Sequence, residues 1–117
     1  SGGGGANALT INFPTFPTNQ WLYIVIAYKY NENGNNVGRV YLNGNLHGSG
    51  SQPTATHNAR ERRNQTNMQY TLGGGYYSSC TTRNISLKAG GLVVYNKTLS
   101  PEQVQRNWNG QKNRFGL

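Results

Sequence analysis

The chain has 117 residues, enough for one domain or part of one, and only 34% of them are hydrophobic. Eleven Lys and Arg stand against three acids, Glu32, Glu61 and Glu102, with no Asp, so the net charge is +8. This balance argues against a carboxylate-rich metal site and permits acidic partners, while no apolar run approaches the roughly 20 residues of a membrane span.

Residues 1–7 open with "SGGGG" and read as a Gly-rich linker or tail. A start at Ser1 without Met points to upstream sequence that was processed away, lies outside this sequence, or was replaced by a linker. "ALTINF" at 8–13 alternates as a strand that Pro14 and Pro17 end. "WLYIVIAYKY" at 21–30 carries the strongest strand signal. It is apolar at both even and odd positions, which predicts a strand covered on two sides. "NENGNNVG" at 31–38 reads as a turn or short loop, and "RVYLNGNLHG" at 39–48 as a hairpin around Asn43-Gly44-Asn45. Residues 49–66 are polar and irregular, one long loop. "MQYTLGG" at 68–74 and "NISLKA" at 84–89 alternate as strands, and Leu92–Tyr95 form a β-branched and aromatic run opened by Gly90-Gly91.

The chain closes on a helix start. Ser100 stands at the N-cap position, Pro101 at N1, Glu102 in the first turn and Gln103 at N3, which together make a capping box. The spacing predicts a helix over 101–108 with Val104 and Trp108 on one face and Gly110 as its stop. Six or seven strands with short links and one terminal helix give an all-β, antiparallel β-sandwich or jelly roll.

Four segments carry a family likeness: "NQWLYIVIAY", "GRVYLNGNLHGSG", "YTLGGG" and "GGLVVYNKTLSPEQVQRNWNG". In this order, over residues 19–110, the chain resembles the C-terminal portion of a LamG-like domain of the concanavalin A-like lectin/glucanase superfamily. Its tail "NWNGQKNRFGL" resembles the ending of LamG-like modules at the C-termini of viral, often phage, structural proteins. The likeness implies a LamG-like sandwich over 8–117, incomplete at its N-terminus because "ALTINF" alone precedes the tryptophan-led strand. Upstream residues or neighbouring chains would then complete the sheets. It also implies that the helix caps an open end or edge of the sandwich, with Val104 and a mostly buried Trp108 plugging the core. Two departures matter: Gly90-Gly91 stand where the family often has an acid, and the Asp that its calcium-binding members use is absent.

The chemistry narrows further. Glycosidic hydrolysis needs paired carboxylates, and Glu32, Glu61 and Glu102 are scattered over a turn, an arginine cluster and a helix start, where the helix dipole already explains Glu102. His47 and His57 have only Cys80 as a third soft ligand and read as surface histidines. Cys80 is alone, so it forms no intrachain disulfide and is a small packing residue or an interchain bridge. Gly73-Gly74-Gly75 lacks the Lys-Ser/Thr of a phosphate loop. Sequons at Asn64, Asn84 and Asn96 are as many as this composition produces by chance. The expectation is therefore a non-enzymatic protein with no catalytic residue, cofactor or metal.

What remains is binding or assembly. The first reading is a structural module of a virion or extracellular assembly, with other protein subunits as partners. The second is a carbohydrate-binding lectin module in which Tyr76, Tyr77, Asn43 and Asn45 would present aromatic faces and amides to a glycan; the same tyrosines read equally as ordinary sandwich-edge residues. The third is a polyanion or partner contact through Arg60, Arg62 and Arg63, which otherwise belong to a solvated loop. The charge permits nucleic acid, although no nucleic-acid-binding motif is present.

Overall fold

The computed structural model describes residues 9–54 and 87–116. The chain divides into two units, Ser1–Glu61 with Tyr95–Leu117, and Arg62–Val94. The expected linker at 1–7, the strand at 68–74, the first three residues of "NISLKA" and the loop beyond Thr54 lie outside the described residues.

The first unit holds one three-stranded antiparallel sheet in the order β1-β2-β3, where β1 is Ile24–Glu32, β2 is Asn35–Leu42 and β3 is Asn45–Pro53. Both connections are two-residue Asn-Gly turns. Asn33 and Gly34 have φ of 53° and 87°, and Asn43 and Gly44 have 50° and 85°. Two successive positive φ values define the turn whose twist matches that of the flanking strands. The hairpin at Asn43-Gly44 forms where its sequence predicts it. The expected loops at 31–38 and from 49 onward are corrected, because strand pairing extends through both: Glu32 pairs with Asn35, and Asn35 with Pro53. Tight turns let the ladders run to the turn itself, so polar residues such as Asn35, Asn36 and Gln52 become strand.

The register puts Val25 opposite Tyr41 and Ala27 opposite Arg39 on one face. Ala27, Tyr41, Leu99 and Val104 form the core on that side, with Val25 packed against them. The other face carries Gly38, Val40 and Gly48, and residues 9–13 cross it closely. A Cβ at Gly38 would lie 2.6 Å from Ile11 Cδ1, and one at Gly50 would lie 1.8 Å from the Thr10 carbonyl oxygen. "ALTINF" is thus a covering segment with a single antiparallel bridge, Asn12 to Ser49, and not a regular strand.

This cover stops at β2. Val40 is 3% exposed, whereas Ile26 directly opposite it is 72% exposed, and Ile24 and Tyr28 are also exposed. The expectation that β1 is covered on both sides is corrected: Val25 and Ala27 face the core, while Ile24, Ile26 and Tyr28 face outward. Asn36, fully buried, accepts the Asn31 N–H on Oδ1 at 3.1 Å, and its Nδ2 has no partner among the described residues.

The helix α1 spans Pro101–Gln111, and a 3₁₀ turn follows at Lys112–Phe115. Ser100 Oγ accepts the Gln103 N–H at 3.2 Å and the Ser100 N–H donates to Gln103 Oε1 at 2.9 Å, the reciprocal pair that the sequence announces. Gly110 does not stop the helix. It lies inside the last turn, and Gly116 at φ 73° takes the left-handed position beyond the 3₁₀ turn. Val104 is fully buried, as expected, but Trp108 is half-buried and not core.

In the second unit the described residues, Leu87–Val94, are exposed and form no strand. Among the described residues the strand expected at Leu92–Tyr95 does not form; β-branched residues favour strands through packing and pairing with a neighbour, and local sequence alone does not supply one. Taken together, the described residues form a mainly β arrangement with one short C-terminal helix.

Candidate functional site

Three surfaces of the first unit carry side chains arranged beyond what the core requires. The first is an open groove of about 700 Å³ where α1 meets the β2–β3 hairpin. Arg39, Asn45, Leu46, Gln105, Arg106 and Asn109 contribute to its walls. Arg39 is already engaged: its Nη1 and Nη2 hold the Glu32 carboxylate oxygens at 2.9 and 3.1 Å. The hydrogen bond from this guanidinium holds the Glu32 carboxyl below its ordinary value. Tyr41, 2% exposed, has its phenol pushed above its ordinary value chiefly by burial. The groove therefore offers carboxamides, Arg106, the Glu102 carboxylate and an apolar surface, and the buried Tyr41 phenol stays neutral at physiological pH.

The second surface is a strip of aromatic rings along the helix and the entry to β1. Tyr23 stacks on Trp108 with centroids 6.0 Å apart, and Trp21 meets Phe115 at 5.1 Å with the planes inclined by 40°. The Arg114 guanidinium carbon stands 5.6 Å from the centre of the Phe115 ring. Asn107, next to Trp108 in the chain, donates to the Tyr95 hydroxyl at 3.4 Å and hydrogen-bonds Tyr23. Burial raises the Tyr23 phenol, the nearby Tyr95 adds to this, and the Asn107 bond offsets part of it. Sequence reasoning assigned Trp108 to the core and passed over Trp21 and Phe115, which lie 94 positions apart in the chain. Only the fold brings them together.

The third surface is the outward face of β1. Tyr23 accepts the Asn43 N–H at 2.8 Å and donates its own N–H to Asn43 Oδ1 at 2.9 Å, so its backbone groups point toward the hairpin. Strand geometry alternates, so Ile24, Ile26 and Tyr28 turn theirs away from β2. The Tyr28 carbonyl accordingly accepts the Thr98 hydroxyl. Ile24 and Ile26 thus combine exposed apolar side chains with outward-turned backbone groups.

Of the residues expected to bind a ligand, Asn43 is occupied in holding the turn to Tyr23, while Asn45 is exposed at the groove. Tyr76, Tyr77, Arg60, Arg62 and Arg63 lie outside the described residues, as do His57 and Cys80. His47 sits at the irregular step of the β2–β3 register, stacks on Phe16 at 5.1 Å, and has Nε2 2.7 Å from the Pro14 carbonyl oxygen. Among the described residues no three His, Cys, Asp or Glu gather as metal ligands, and no helix is long and apolar enough to cross a membrane. Comparison of the chain with protein-family models, with curated proteins and with solved structures finds no match.

Proposed function

We propose that the chain is a non-enzymatic assembly module of a virion or extracellular structure, with a concanavalin A-like sandwich that another protein subunit completes. One observation carries the reading: an apolar row that is sealed at Val40 continues into the open at Ile26 and Ile24. Among the described residues β1 is the edge of the sheet, and exposed apolar residues on such a strand are a template for pairing with another chain. The resemblance of four segments to LamG-like modules, and of the tail to viral ones, supports this reading.

The test is association. Light scattering on the purified chain across a concentration series should show oligomers, and Ile26→Lys should return it to monomer with an unchanged melting temperature. A parent chain that stays monomeric at every concentration would overturn the proposal. A glycan-binding reading draws on the groove alone, where the exposed Asn45 joins the carboxamides of Gln105 and Asn109. A glycan array with no signal above background removes it.

A further inference from the structure

We infer that the strip formed by Trp21, Phe115, Arg114 and Lys112 is a binding site for single-stranded nucleic acid. The first observation is geometric. Trp21 is 41% exposed and meets Phe115 at 40°, an open angle that leaves ring surface available for a base. Arg114 holds its guanidinium against Phe115 from the adjacent position. Aromatic platforms beside cations are how proteins hold unpaired strands, because every base has a π-face and every nucleotide a phosphate.

The second observation is electrostatic and independent of the rings. Among the described residues the acids are Glu32 and Glu102. Glu32 is tied to Arg39 by two short hydrogen bonds. Glu102 lies in the first turn of α1, and Lys112 begins ten residues later, about 15 Å along a helix. That separation is nearly twice the Debye length of about 8 Å at physiological salt. Glu102 therefore does not neutralise Lys112 or Arg114.

Helix-end cations have a simpler use, since Lys112 complements the helix dipole. That does not account for an arginine laid on a ring. A duplex keeps its bases stacked and cannot use the platform, which selects an unpaired strand. A sulfated polysaccharide would engage the cations and ignore Trp21.

The experiment measures fluorescence anisotropy of a labelled single-stranded oligothymidylate with the full chain over a salt series. Two cations predict that log K falls with log salt at a slope of about −1.4. Trp21→Ala should weaken binding about tenfold, while Trp21→Phe, which keeps a ring, should bind nearly as the parent does. The pair Lys112→Gln and Arg114→Gln should bring the slope close to zero. These two positions support no core packing, so melting temperature serves as the folding control. The proposal fails if no binding occurs at low salt, or if Trp21→Ala melts and binds like the parent. It also fails if heparin or duplex DNA competes as well as the single strand. Equally, it fails if Arg60→Gln, Arg62→Gln and Arg63→Gln together abolish the salt slope while the Lys112/Arg114 pair leaves it intact.

Discussion

Gly44→Ala is expected to destabilise the chain by about 2–5 kcal/mol, and the structure separates that figure into two parts. Gly44 has φ 85°, and holding an L-residue there costs about 1–2 kcal/mol. The new methyl would also fall 2.7 Å from Cδ1 of Trp108 and 3.0 Å from both its Cγ and the Gln105 Oε1. Forcing a methyl into such a contact displaces the indole and typically costs about 1–3 kcal/mol. Gly34 is the internal control. It has φ 87° in the same kind of turn, with nothing within 4 Å of where its Cβ would stand. Gly34→Ala should therefore lose only the conformational part, about 1–2 kcal/mol. Urea unfolding followed by far-UV circular dichroism gives both values. Repeating Gly44→Ala in a Trp108→Ala background removes the contact and should bring its cost down to that of Gly34→Ala, a non-additivity that marks two touching residues. If Gly44→Ala and Gly34→Ala cost the same in the parent chain, then Trp108 does not pack on the hairpin turn, and the seating of α1 on the sheet is wrong.

Four further outcomes are expected. Ser100→Ala should lower stability by about 1 kcal/mol, since it orphans the Gln103 N–H; a melting temperature equal to that of the parent would refute the cap. Val104→Ala, at a fully buried position, should cost about 2 kcal/mol, while Val94→Ala at an exposed one should stay within about 0.5 kcal/mol in urea titration. Asn43→Ala removes the acceptor of the Tyr23 N–H and leaves a non-glycine residue at φ 50°, so a loss of about 2–3 kcal/mol is expected. Finally, stability should fall in alkali. The phenols of Tyr41 and Tyr23 are raised above 10.0 by burial in the folded chain. Their contribution is then fully present below the unfolded value of 10.0 and lost as pH rises through the folded pKa. Urea midpoints that stay level while tyrosine absorbance titrates would contradict this.

The resemblance and the local signals led to different depths of insight. Ser100, Pro101 and Gln103 specify a helix start through bonds that span three residues, and Asn43-Gly44 specifies a turn through two φ values. Neither needs the rest of the chain, and both stand where the sequence places them. Leu92–Tyr95 shows the limit of that logic. A strand is completed by its neighbour, and these four residues are exposed and pair in no strand among the described residues.

The aromatic strip was illegible for a related reason. Trp21 and Phe115 share no periodicity, and their meeting depends on where the hairpin seats the helix. The sidedness of β1 is the clearest case. Its sequence is apolar on both faces, so the pattern carries no information on which face is sealed. Tertiary packing decides it: Leu99 and Val104 close the odd face, and residues 9–13 reach across the other only as far as β2. Composition, turn chemistry and capping are properties of neighbours in the chain and are settled by the sequence itself. Burial is a property of neighbours in space, and only the folded chain settles which of Ile26 and Val40 meets water.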